Sequence, residues 1–137
     1  MKATLVRTAR FSCGHKYENP SWSEERNKKE FGLCYSEHGH GHNYKLDVAI
    51  LAPIDPETGM TLNLMHVDQC IEQVTDLLDH KFLNNDLDYF KKHIPTTENI
   101  SVFIYNKLKD LFEQHKVELS KITLYENDDL WVEYGNS

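Results

Sequence analysis

The stretch that most constrains this 137-residue chain is FGLCYSEHGHGHNY, residues 31–44, in which His38, His40 and His42 alternate with glycines just after Cys34. Alternate residues of a β-strand point to one face. If the stretch runs into a strand, His40 and His42 aim two imidazoles at a single point. Imidazole suits Zn²⁺, and a catalytic zinc takes three protein ligands and keeps one position open. The best third candidate is His15, at the end of an earlier strand-like run. His38 leaves the register open, because His38 and His40 form an equally spaced pair. Cys34 is either a fourth ligand that closes a structural site or a thiolate acid/base beside the metal, whose charge would lower its pKa.

The flanking pattern supplies the strands. Thr4 to Phe11 reads as a strand with Leu5, Ala9 and Phe11 on one face, and that face continues through Cys13 to His15. A polar insertion follows. Ser21 with Glu24 reads as a capping box and Gly32 as a stop, which predicts a short helix from Trp22 to about Phe31. Asn43 to Leu51 is a second strand, with Leu46, Val48 and Ile50 on one face. The turn signal Asp55-Pro56-Glu57-Thr58-Gly59 precedes the alternation Met60, Leu62, Leu64, which predicts a third strand closing a hairpin.

Val67, Cys70, Ile71, Val74, Leu77 and Leu78 recur at helical spacing, so His66 to about Leu78 is an amphipathic helix. A second helix starts with Thr96 as its N-cap and carries an apolar stripe from Ile100 to Phe112. Lys121 to Glu126 and Leu130 to Tyr134 read as closing strands. Helices grouped among strands predict a single α+β domain, an antiparallel sheet covered on one face by two helices.

Other residues could carry chemistry. Asp79-His80 is either a proton-transfer pair, in which the carboxylate orients the imidazole, or a helix-end cap. Glu126 shares strand parity with Ile122 and Leu124. Either the strand ends there, or the inward carboxylate accepts two parallel N–H bonds from a planar heterocycle edge. His66, His93 and His115 have no supporting pattern. The formal net charge of −7 argues against general nucleic-acid binding. The longest apolar run, Val48 to Ile54, is too short to cross a membrane, and the first residues lack a signal peptide's apolar block. Three cysteines do not form a disulfide framework, so the expected compartment is cytoplasmic.

FSCGH at 11–15, FGLC at 31–34, HGHNY at 40–44, DPETGM at 55–60, LDHK at 78–81, PTTEN at 95–99 and YEN at 125–127 stand in the order found in 6-pyruvoyl-tetrahydropterin synthases. From about Arg10 to Tyr134 the chain resembles that family. The resemblance implies a T-fold, a four-stranded antiparallel sheet with two helices on one face. Trimers would close into a barrel, and two trimers would stack into a homohexamer with interfacial active sites. It implies Zn²⁺ on His15, His40 and His42, with Cys34 as the proton-transferring residue. A neighbouring subunit would supply Asp79 and His80. Glu126 would anchor the pterin, with Thr96, Thr97 and Glu98 near it. The implied reaction converts 7,8-dihydroneopterin triphosphate to 6-pyruvoyl-tetrahydropterin with loss of triphosphate.

Related enzymes with the same site make 6-carboxy-tetrahydropterin and acetaldehyde on the route to queuosine. The pyruvoyl type places five residues between the cysteine and HGH, the carboxy type three. Here Cys34 is five residues short of His40 and three short of His38, so both spacings occur. Asn43-Tyr44 after HGH, Phe31-Gly32 before the cysteine and the long insertion after His15 favour the pyruvoyl register. A non-catalytic zinc-stabilised oligomer and a zinc phosphohydrolase are the readings from other classes. Two departures stand out: His38 itself, and Cys13-Gly14, which puts a second thiol near the metal.

Overall fold

The structure, a computed structural model, describes residues 1–136. Its backbone is a four-stranded antiparallel sheet in the order β1-β2-β3-β4. The strands are β1 (Lys2–His15), β2 (His40–Pro53), β3 (Glu118–Asn127) and β4 (Leu130–Gly135). The helices are α1 (Glu24–Phe31), α2 (Leu64–Leu78), α3 (Leu83–Asp86), α4 (Tyr89–Lys92) and α5 (Thr97–Glu113). α2 packs on β1, α5 packs on β3 and β4, and the two long helices touch each other. One apolar core joins Phe11, Tyr44, Leu46, Val48, Ile50, Ile122 and Leu124 to Val67, Val74, Ile100, Ile104, Leu108 and Phe112. Among the described residues, no helix is long and apolar enough to cross a membrane.

The expected third strand does not form. The Asp55–Gly59 turn is present, with the Asp55 carboxylate accepting from the Glu57 amide at 2.8 Å. The chain then enters α2 rather than returning along β2, whose two edges are already occupied by β1 and β3. The Asn63 side chain accepts from Met65 N at 2.9 Å and starts the helix at Leu64. An N-cap of this kind stabilises a helix by about 0.5–2 kcal/mol. Period two over Met60, Leu62 and Leu64 was therefore a local coincidence.

The insertion helix begins later than its capping-box signal. Ser23, not Ser21, is the cap, accepting from Arg26 N at 3.1 Å. Ser21 is held instead by Asn19, and buried Asn27 ties the insertion together by accepting from Asn19 N at 2.8 Å. Thr96 caps α5 as expected, and Gly32 ends α1 with a φ of 55°. The single turns α3 and α4 carry no periodicity long enough to read from sequence.

Candidate metal centre and its surroundings

The β1–β2 ladder sets three same-face pairs in a row: Phe11 opposite Tyr44, Cys13 opposite His42, and His15 opposite His40. Directly opposed residues of an antiparallel pair share a face. Strand pairing alone therefore gathers His15, His40 and His42, whose ligand nitrogens all lie within 4.8 Å of one another. His15 Nε2 and His40 Nε2 are 3.1 Å apart. His15 is fully buried, and its Nδ1 lies 3.2 Å from the Tyr44 hydroxyl, which fixes the ring and leaves Nε2 facing the cluster. Burial first, then the two neighbouring imidazoles, pushes His15 down to about 3. Burial and His42 also lower His40, against an opposing pull from Glu126. Both are held in the neutral form that ligation requires.

This donor set fits a zinc ion. His42 Nε2 is buried without a hydrogen-bond partner among the described residues. Glu126 Oε1 lies 3.4 Å from it, within ion-pair reach but outside hydrogen-bond geometry. A buried imidazole nitrogen left unpaired is costly, and a cation among three such nitrogens would satisfy it. The cluster consists of the three histidines, with neither Cys34 nor His38 in it. His38 is 89% exposed and 3.8 Å from Glu37. The donor set is thus open, as in catalytic centres, rather than a closed Cys-His-His-His site.

Gly39 has a structural reason to be glycine between His38 and His40. Its φ is +74°, and a Cβ there would sit 2.5 Å from the Phe82 ring and 2.8 Å from the His15 carbonyl oxygen. The Phe82 ring also approaches Gly14. Nothing in the sequence marks Phe82. It arrives because the chain after α2 crosses the free edge of β1, where Gly14 N donates to the Lys81 carbonyl at 2.9 Å.

Glu126 follows the last β2–β3 pair, Lys45 with Tyr125, and its side chain is only 12% exposed. Thr97 Oγ1 donates to Glu126 Oε1 at 3.3 Å. Of the neighbouring PTTEN residues, Thr97 is buried, Thr96 spends its hydroxyl on capping α5, and Glu98 is exposed. Cys34 ends a 3₁₀ turn, Gly32–Cys34, and its carbonyl accepts from Tyr17 N at 2.9 Å. Burial and then Glu126 push its thiol up. The chain's own groups therefore favour the protonated thiol. Cys13 is buried and pushed up to about 12, which makes it a packed thiol.

Asp79 and His80 lie across β1 from β2. Asp79 Oδ1 accepts from Ser12 N at 2.9 Å, His80 N donates to Ser12 O at 2.6 Å, and Asp79 Oδ2 is 3.0 Å from His80 Nδ1. The Ser12 amide, then the His80 imidazole, holds Asp79 below the usual carboxylate range. The His80 side chain is 85% exposed at a φ of 60°. Among the described residues, the pair makes no hydrogen bond or ion pair with Cys34 or the three histidines.

Sequence reasoning missed Tyr17 and Tyr44. Strand parity could have found Tyr44, which shares the face of His40 and His42. Tyr17 lies past the end of β1, where parity no longer applies. Its ring is 5.0 Å from that of His15 and 6.5 Å from that of His40. Burial, then the charges of Glu126 and Cys34, pushes its hydroxyl up to about 12.

Comparison with known proteins matches this arrangement. The family profile described as 6-pyruvoyl tetrahydropterin synthase matches residues 4–137. The 6-pyruvoyl tetrahydrobiopterin synthase of Poecilia reticulata is 42% identical over 105 residues, covering 76% of this chain and 71% of that protein. The Homo sapiens protein of the same name is 38% identical over 134 residues, 97% of this chain and 91% of its own length. The solved Caenorhabditis elegans 6-pyruvoyl tetrahydropterin synthase superposes with a TM-score of 0.93 at 31% identity, covering 100% of this chain and 97% of that one. The chain belongs to the 6-pyruvoyl tetrahydropterin synthase family.

Proposed function

We propose that this protein is a zinc-dependent 6-pyruvoyl-tetrahydropterin synthase, a lyase that eliminates triphosphate from 7,8-dihydroneopterin triphosphate. The observation that carries this reading is the register of the histidine cluster. His40 and His42 join His15 while His38 points to solvent, so the spacing that counts is the five residues between Cys34 and His40. That is the pyruvoyl spacing rather than the carboxy one.

Each residue then has a chemical task. His15, His40 and His42 hold the zinc, with His15 oriented through the Tyr44 hydroxyl. When bound there, zinc would supply Lewis-acid polarisation of the substrate's side-chain hydroxyls. Glu126 accepts two N–H bonds from the pterin's guanidine-like edge, and Thr97 holds that carboxylate in place. Cys34 moves protons between the side chain and the ring. Its thiol is raised by this chain's own groups, so a bound metal and an Asp79–His80 pair of a neighbouring subunit would supply the lowering it needs. Lys16, whose ammonium lies 4.6 Å from the ring of Tyr35 and 3.8 Å from the Glu18 carboxylate, is a candidate to meet the triphosphate, as are Lys28, Lys29 and Arg10.

The proposed assembly is a barrel of trimers stacked into a hexamer. The sheet ends in two edge strands, β1 and β4, and Val6, Leu130, Trp131 and Tyr134 are exposed on them. Unpaired, partly apolar edges of this kind call for a partner. The expected compartment is the cytoplasm, and neither nucleic acid nor membrane is an expected partner.

The test is to incubate purified, zinc-loaded protein with dihydroneopterin triphosphate and identify the products. Pyruvoyl-pterin with inorganic triphosphate is the expected outcome. Carboxy-pterin with acetaldehyde would move the chain to the queuosine-type reaction, and simple phosphate release or no reaction would remove it from both.

A further inference from the structure

We propose that Asn84 is a positioning residue that clamps the end of β1 beside His15 and fixes the point from which the chain reaches the Cys34 turn. The roles of zinc and Cys34 rest on the synthase reading; the contacts do not. The β1–β2 ladder stops at His15 opposite His40, so Lys16 has no partner in β2. A strand end left in that state frays.

Residues 79–84 hold it from the other side. They run along the outer edge of β1, where Ser12 N donates to Asp79 Oδ1, His80 N to the Ser12 carbonyl, and Gly14 N to the Lys81 carbonyl at 2.9 Å. Phe82 forms a parallel bridge with Gly14. At Lys16 the main chain of this strap has already turned into α3, and a side chain takes over. Asn84 Oδ1 accepts from Lys16 N at 2.8 Å, and Asn84 Nδ2 donates to the Lys16 carbonyl at 2.8 Å. One carboxamide thus makes both bonds that a paired strand residue would make. The Lys16 N–H can only donate and its carbonyl can only accept, so a carboxylate cannot replace the amide.

Two groups of the site depend on where Lys16 lies. On one side is His15, fully buried, with its Nδ1 3.2 Å from the Tyr44 hydroxyl. On the other is Tyr17, whose amide donates to the Cys34 carbonyl at 2.9 Å and so ties down a 3₁₀ turn outside the ladder. Buried Asn27 repeats the device further on, accepting from Asn19 N at 2.8 Å and donating to the Asn19 carbonyl at 3.1 Å. That second clamp joins the insertion to itself. Asn84 instead joins the exit of β1 to the strap that carries Asp79 and His80.

Asn84→Ala removes both bonds, and Asn84→Asp removes the donor to the Lys16 carbonyl. Exposed Asn85, the next residue of the same turn, is the control. Zinc affinity is measured by competition with a chelator, well below the unfolding transition. It should fall about tenfold or more in Asn84→Ala, as for loss of a group that orients a ligand. It should fall in Asn84→Asp too and stay at wild type in Asn85→Ala. At saturating zinc, kcat of Asn84→Ala for dihydroneopterin triphosphate should drop about tenfold with KM near wild type, because Cys34 shifts and Glu126 does not. Hydrogen exchange gives the readout that a general loss of stability does not mimic. The Lys16 and Tyr17 amides of Asn84→Ala should lose about tenfold or more in protection, while those of Leu46 and Val48 in the middle of the ladder stay near wild type. Unchanged zinc affinity in a folded Asn84→Ala, unchanged protection at Lys16 and Tyr17, or an equal zinc loss in Asn85→Ala overturns the proposal. If Asn84→Ala does not fold, the zinc and exchange measurements on Asn84→Asp decide. Failure of the wild-type protein to bind zinc or to make a pterin product overturns the synthase reading instead, and the exchange arm still judges the clamp.

Discussion

His15, His40 and His42 meet because two strands pair, whereas Cys34, Asp79 and His80 sit outside that ladder on segments held by a few hydrogen bonds. The histidines are fixed by a ladder that runs from Lys2 opposite Pro53 to His15 opposite His40. A slip of one residue in that ladder would set His15 on the opposite face from His40 and His42. Cys34 depends on one backbone bond and the packing of Tyr17, and Asp79–His80 hangs from Ser12 on the free edge of β1. The histidine cluster is therefore gathered within one subunit, while Asp79 and His80 make no hydrogen bond or ion pair with Cys34 there among the described residues. Metal content and turnover should consequently respond to different substitutions, and that separation can be broken experimentally.

The largest expected effect is that of His40→Ala. It leaves two imidazoles where a catalytic zinc takes three ligands, so bound metal should fall from stoichiometric to near zero, with activity lost along with it. Metal analysis after dialysis measures this, and retention of a full zinc equivalent would remove His40 from the ligand set. Cys34→Ala comes next and tests the opposite side of the comparison. Zinc should stay bound while turnover falls about 10²- to 10⁴-fold, the range for a lost general acid/base. Loss of metal in that variant would make Cys34 a ligand and erase the distinction.

What the sequence showed follows the same division. Strand parity put His15, His40 and His42 on one face and turned Glu126 inward, because β-strands obey a strict period of two. The caps at Thr96 and Gly32 were equally legible, since their chemistry is local. Period two also misled at Met60, Leu62 and Leu64, where neither edge of β2 was free and Asn63 started a helix. Phe82 against Gly39, the Tyr17 amide on the Cys34 carbonyl and the tether of Asp79 to Ser12 depend on chain crossings of long sequence separation. No local pattern encodes them. The register of the histidines was ambiguous by spacing; the fold gathers His40 and His42 with His15 and leaves His38 exposed.

Glu126→Ala carries the next effect. Hydrogen bonds to a charged group contribute about 1.5–3 kcal/mol each, and every 1.4 kcal/mol is tenfold in affinity. For the two such bonds assigned to Glu126, KM for the pterin substrate should rise at least about 10²-fold while zinc content stays near wild type. The carboxylate lies 3.4 Å from His42 Nε2, so metal loss here would mean that Glu126 acts on the cluster rather than on the pterin. Isothermal titration with a dihydropterin lacking the triphosphate separates the two. Unchanged pterin affinity would sink the anchoring role.

The smallest effect is expected of His38→Ala, and its value lies in being small. His38 is the one histidine of the HGHGH run that solvent surrounds, with Glu37 as its ion-pair neighbour at 3.8 Å between two exposed side chains. Such a pair is worth about 0–1 kcal/mol, so stability should move by less than that in thermal unfolding. Zinc content and the identity of the pterin product should not change. If instead the variant lost its metal, the ligand pair would be His38 with His40. The spacing from Cys34 would then be three residues rather than five, and the product to look for would be the carboxy-pterin. One exposed side chain thus decides between the two reactions that the repeated histidines allow.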